Sequence, residues 1–122
     1  MGLHFGRMLG EEQALAMIAR HDFRLLVLVI LMPLSGTPMA VVKPPSLPEI
    51  AEFFEFARRE IVNKPIMLGC ARPLGQLKEK IDRAAIDAGF NGIAYPAEGI
   101  VRYARSRGLK PEFVNSCCGV TW

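Results

Sequence analysis

The chain has 122 residues, of which 51% are hydrophobic and 22% charged, with a formal net charge of +3. That length holds one domain with a modest core, and the composition is globular, which excludes a disordered or low-complexity chain. Lys and Arg are spread over several segments with no basic run interleaved with aromatics, so no nucleic-acid partner is expected.

In chain order, the opening MGLHFGRMLG lacks an apolar signal core, and Gly2–Gly6 reads as the tail of a strand. Glu11–His21 places Ala14, Leu15, Ile18 and Ala19 on one helical face, with two acids in the first turn where the helix dipole favours them. Arg24–Met32 (RLLVLVILM) is apolar on both faces, as a strand covered on both sides by helices should be. Its most hydrophobic part, Leu25–Met32, is stopped by Pro33, short of the roughly 20 residues a membrane helix needs, so no membrane span is expected. Pro33–Pro48 is a loop carrying five prolines, and Ser46 with Glu49 three residues on forms a capping-box signature. Ile50–Val62 is then an amphipathic helix with Ile50, Phe53, Phe54, Ala57 and Ile61 inward.

Pro65–Cys70 reads as a strand and Gly75–Ala88 as a helix with Leu77, Ile81, Ala84, Ala85 and Ala88 inward, followed by Gly89 as its C-cap. Gly92–Tyr95 is a further strand, and Glu98–Arg107 a helix closed by Gly108. Residues 109–122 form an irregular tail. Four β-then-α units in a row argue for α/β class with a parallel sheet. Four units are half of an eight-stranded barrel, in which chemistry sits in the loops after the strands.

Those loops hold the candidate residues. His4 lies at a strand end, either as a ligand or proton-transfer group or as an exposed terminal histidine. The rigid Pro33-Leu34-Ser35-Gly36-Thr37-Pro38-Met39 loop can present backbone groups to a planar ligand, or serve as a stiff connector. Arg72 precedes Pro73 and is expected to project at the rim, where a planar cation suits a carboxylate or phosphate. Cys70 ends an apolar run and reads as a buried small hydrophobe, since no local histidine supplies a base. Three cysteines, Cys70 and the adjacent Cys117 and Cys118, make neither a disulfide framework nor an all-cysteine zinc site, and a reducing, cytoplasmic setting fits them.

The order GLHFG-RMLGEE, an apolar strand ending in PLSGTPM, then PIMLGCARPLG, then AGFNGIAYP resembles the C-terminal half of a radical S-adenosylmethionine barrel. It is most similar to the biotin synthase and lipoyl synthase-like branch, over residues 2–108, with the Pro-x-x-Gly-Thr-Pro-Met loop as its most specific piece. The resemblance implies a parallel half-barrel of about four β/α units over residues 1–108. It implies S-adenosylmethionine bound beside a four-iron, four-sulfur cluster and cleaved to a 5′-deoxyadenosyl radical. That radical takes hydrogen from an unactivated C–H bond, in this branch often ahead of sulfur insertion, a transferase reaction. Gly6, Gly10, Glu11, Met32, Pro33, Gly36 and Thr37 would line the S-adenosylmethionine pocket, and His4, Cys70 and Arg72 would face a small-molecule substrate.

The family's CxxxCxxC cluster loop follows the first barrel strand and does not occur in these residues. No metal ligand is therefore expected here, and the cluster is expected only with an N-terminal half-barrel. Alone the chain is expected to be inactive, and to self-associate or pair with that half, because an open half-barrel leaves two strand edges unpaired. The alternatives are a non-catalytic half-barrel module that dimerises or complements another chain, and a complete small enzyme using Cys70 as nucleophile.

Overall fold

The computed structural model describes residues 1–116 and 118–120; Cys117, one of the adjacent thiols, and Thr121 and Trp122 at the end of the tail lie outside the described residues. Helix α1 (Glu11–Ile18) starts from Gly10, whose left-handed backbone (φ 90°) suits glycine, and carries Glu11 and Glu12 in its first turn. It is shorter than the periodicity predicts. Arg20 and His21 leave it through tighter i→i+3 bonds to Met17 and Ile18, and of the predicted inward residues only Leu15 is buried.

Strands β1 (Leu26–Leu28), β2 (Ile66–Leu68) and β3 (Gly92–Ile93) form one parallel sheet in the order β1-β2-β3, with Leu28 opposite Leu68 and Leu68 opposite Ile93. Helices α2 (Leu47–Glu60), α3 (Gln76–Asp87) and α4 (Ile100–Ser106) alternate with them. The helices pack in succession, α1 on α2, α2 on α3 and α3 on α4. The described chain is thus α/β, a three-stranded open parallel sheet with four helices.

α2 follows its sequence signals closely. The Glu49 carboxylate accepts the Ser46 backbone N–H at 2.8 Å and its hydroxyl at 2.6 Å, and Pro48 sits in the first turn where its missing N–H costs nothing. Ile50, Phe53, Phe54 and Ala57 are buried, and Ile61 beyond the C-terminus is too. They join Leu26, Leu28, Ile30, Ile66, Leu68, Ile81 and Ala85 in one cluster. Each fully buried Ile or Phe there contributes about 1.5–3 kcal/mol of apolar burial. Leu77, Ala84 and Ala88 of the α3 stripe pack against the same cluster while remaining partly exposed.

The expectation that β1 is covered by helices on both sides is corrected. Leu26, Leu28 and Ile30 enter the helix-side cluster, but the alternation of the strand sends Val27 and Val29 to the other face, and Val29 is 40% exposed. On that face Gly119 of the tail rests on Leu25 and Val27, where a Cβ would come within 4.0 and 3.8 Å. Residues 2–6 are likewise a turn rather than a strand, because Gly2 (φ 77°), Phe5 (φ 51°) and Gly6 (φ 82°) are left-handed. Only Met1 pairs with the sheet. Its amino group donates to the Val29 carbonyl and its carbonyl accepts from the Leu31 N–H, the pattern of a parallel bridge opposite Ile30. No helix among the described residues is long and apolar enough to cross a membrane.

Candidate functional site

The C-terminal ends of the strands open onto four segments: the turn at residues 1–10, the long loop at 29–46, the β2–α3 loop at 69–75 and the β3–α4 loop at 94–99. The last two are joined from below by a buried ion pair. Arg72 Nε donates to Asp82 Oδ1 at 2.7 Å and Nη2 to Oδ2 at 3.2 Å, and both side chains are fully buried. The same guanidinium donates to the carbonyls of Gly69 (2.7 Å) and Tyr95 (3.1 Å), and Asp82 also accepts the Ala97 N–H at 2.7 Å. Five bonds thus tie α3 to both loops. A planar cation with a rigid fork of donors fits this joint, and a lysine would not reproduce it.

This corrects the expectation for Arg72. It does not project at the rim: Pro73 beside it is buried and the guanidinium turns back under the loop to meet Asp82. Cys70 is corrected in the opposite sense. β2 ends at Leu68, two residues before it, so the thiol leaves the wall and is exposed. His4 is exposed and meets the Phe5 ring edge-on with centroids 6.0 Å apart.

The N-terminal turn is packed against the long loop through glycine. A Cβ on Gly2 would lie 2.5 Å from Pro45 Cδ, and one on Gly6 would lie 1.9 Å from the Lys43 carbonyl oxygen. Gly6 is therefore needed for that close approach. Glu11 Oε1 accepts the Gly2 N–H at 2.8 Å, while its buried Oε2 has no hydrogen-bond partner among the described residues. The Met1 amino group is held below its ordinary pKa of 8.0 by burial, partly offset by the attraction of Glu11.

In the long loop, Met32 and Pro33 are half-buried, whereas Gly36 and Thr37 are exposed. Thr37 Oγ1 donates to the Leu34 carbonyl at 2.8 Å, and successive turns (Ala40 to Thr37, Val42 to Met39) keep the segment compact. Gly10 and Gly36 have open space where a Cβ would stand, so a ligand could approach their backbone.

Two residues that sequence reasoning missed belong to the same rim. Asp82 flanks the apolar stripe of α3, and its signal is only a carboxylate near an inward face after an arginine-bearing loop. Tyr95 is left-handed (φ 48°), at roughly 1–2 kcal/mol for a residue with a Cβ, and 81% exposed. Its carbonyl accepts from Lys78 Nζ as well as from Arg72. The A-Y-P string gave no warning of that backbone.

Beside these loops the face of the sheet away from the helices carries Val27, Val29, Met67, Gly69, Gly92 and Ala94, none of them titratable. A Cβ at Gly69 would meet Val29 Cγ1 at 2.6 Å, so this face is close-packed there, and Met67, Gly69 and Ala94 are buried. No group of three or more His, Cys, Asp or Glu side chains among the described residues could hold a metal ion. These residues accordingly do not fit as holders of an iron–sulfur cluster. A separate shallow groove of about 500 Å³ runs between α3 and α4, where Arg83 pairs with Glu79 at 2.7 Å and lies over the Tyr103 ring. No family model, no curated protein and no solved structure matches the chain.

Proposed function

We propose that this chain is the C-terminal part of a radical S-adenosylmethionine barrel of the biotin synthase and lipoyl synthase-like kind. It contributes one wall of the cofactor and substrate pocket, and an N-terminal half-barrel supplies the cluster. The observation that carries the reading is the winding. Three parallel strands lie side by side in chain order, their helices pack in succession, and Met1 adds a parallel bridge on the outer edge of β1. A doubly wound sheet keeps sequential order only within each half and reverses at its switch point, whereas a barrel runs sequentially throughout, and the Met1 bridge extends the sequential run to a fourth position.

S-adenosylmethionine supplies a radical that abstracts hydrogen when a cluster reduces it. This chain's residues bind and orient. Gly10 and Gly36 offer uncovered backbone, Thr37 and Glu11 polar atoms, and Met32 and Pro33 an apolar side. Gly6 serves by letting the turn close on Lys43. His4 and Cys70 stand exposed at the substrate side, and Arg72 acts from beneath by holding the two loops.

The edge of β3, and that of β1 beyond the single Met1 bridge, favour a second reading, a non-catalytic half-barrel module that dimerises. One experiment separates them. The chain is mixed with an N-terminal half-barrel bearing a CxxxCxxC loop, reconstituted anaerobically with iron and sulfide, and sized by chromatography with light scattering. The proposal expects a one-to-one complex carrying a four-iron cluster that turns over S-adenosylmethionine, and no cluster on this chain alone. A stable homodimer that ignores the partner supports the second reading, and a stoichiometric cluster on the isolated chain sinks the first.

A further inference from the structure

We infer that the tail, residues 109–116 and 118–120, is a displaceable strap. It crosses the sheet on the face away from the helices, covers the apolar residues there, and has to come off before anything else packs on that face. The inference goes beyond the reading above and does not rest on it.

Met67 is the sign that this face is covered. Its neighbours across the sheet are Val27 on one side and Gly92 on the other, so toward β3 no side chain shields it. Gly69, two residues on and pointing the same way, has no side chain either. Met67 also lies outside the cluster that the helices build on the opposite face, yet it is 7% exposed. A long thioether flanked by glycines on a bare sheet would stand in water, so another part of the chain lies over it.

That part is the tail. A Cβ on Gly119 would lie 3.8 Å from Val27 Cγ2 and 4.0 Å from Leu25 Cδ2, and Cys118 beside it is half-buried. The tail sets out from the other edge of the molecule, because α4 follows β3 and packs on α3. Val27 belongs to β1, and β2 stands between β1 and β3. The chain from Gly108 to Gly119 therefore passes β2, and Met67 lies in its path. Two strand spacings of about 4.8 Å each are well within its reach at about 3.3 Å per residue.

The seating is shallow. Phe113, Val114 and Val120 are each at least 61% exposed, so the tail buries little apolar surface of its own. A segment held by so few contacts opens at a free energy well below that of global unfolding. Its contact with β1 is made at a left-handed glycine (φ 93°), where any side chain is strained. Closed, the strap keeps an apolar sheet surface from water; open, it exposes that surface to another element or chain. It is an intramolecular competitor for the face it covers.

The test uses the full chain carrying ¹³C-methyl methionine, with the Met67 and Met17 signals assigned by Met67→Leu and Met17→Leu. A neutral gadolinium chelate in solution relaxes each methyl according to its exposure. The expected relaxation of Met67 is severalfold weaker than that of Met17, as exposures of 7% and 65% require. Gly119→Val should raise the Met67 value severalfold and leave Met17 and the far-UV circular dichroism unchanged. Gly36→Val, which places the same side chain in an equally left-handed but open loop, should leave Met67 protected. In a urea series on the unsubstituted chain, Met67 should become accessible before the Phe54 amide loses its exchange protection. The inference is overturned if Met67 is as accessible as Met17 from the start, if Gly119→Val leaves it protected, if Gly36→Val uncovers it equally, or if it opens only together with Phe54. No step uses S-adenosylmethionine, a cluster or a second chain, so the outcome stands apart from the reading above.

Discussion

α2 and the strand-end rim use apolar residues in opposite ways. Along α2, Ile50, Phe54 and Ala57 are fully buried, and the cap, the proline and the stripe all favour the same helix. At the rim, Leu3, Phe5, Leu34, Leu74 and Tyr95 are each at least 53% exposed, and two of them sit in left-handed backbone. Local preference and tertiary structure agree in the first region and conflict in the second. Exposed apolar residues also occur elsewhere, at Met17, Val62 and Phe113, but at the rim they coincide with left-handed backbone, and stability given up in that way is found where surfaces bind.

The sharpest way to probe the contrast is to compare losses on the two sides. Phe54→Ala removes a fully buried ring and should cost about 3–5 kcal/mol in urea unfolding. Arg72→Met should cost a similar amount, about 3–5 kcal/mol, although it lies under the rim, because it leaves the Asp82 carboxylate buried without its cation. Adding Asp82→Leu to Arg72→Met should recover much of that loss. If the double variant is no better than the single one, the joint acts through more than charge. Tyr95→Gly should reverse the sign, gaining about 1 kcal/mol by relieving the left-handed strain. A loss of stability there would break the contrast between core and rim.

The smallest effect is a pH dependence confined to α2. Bonds from the Ser46 hydroxyl, and then from its backbone N–H, hold the Glu49 carboxyl below its ordinary pKa of 4.5. A carboxyl depressed in the folded state contributes stability above its unfolded value, and that contribution is lost as pH falls through the folded one. Thermal unfolding should therefore show a slight extra destabilisation below pH 4.5 that Ser46→Ala reduces, leaving the part due to the residue 46 backbone N–H. Equal acid sensitivity with and without the Ser46 hydroxyl would remove Glu49 from the account.

How far the molecule was legible follows the same division. The stripes of α2 and α3, the Ser46–Glu49 cap and the glycine after α3 were readable because period, cap and burial are local properties. The shortened strands were not. Cys70 was expected in the wall, yet hydropathy does not register that the ladder stops at Leu68. Arg72 was read as a rim cation because its partner, Asp82, lies about two helix turns beyond the loop and is specified only by tertiary packing. The one-sided placement of the helices was also hidden, since an apolar run of eight residues reads the same whether its second face meets a helix, a tail or nothing.

The end of β1 carries one more consequence. The Ile30 N–H points to Ala71 of the β2–α3 loop, and the next amide, Leu31, points the other way to Met1. Two adjacent amides therefore gauge two different seams of the sheet, the inner one within the fold and the outer one at its edge. In hydrogen–deuterium exchange their ratio reads which seam opens first, without any label or substitution. A strand arriving at the outer edge would slow Leu31 and leave Ile30 as it was.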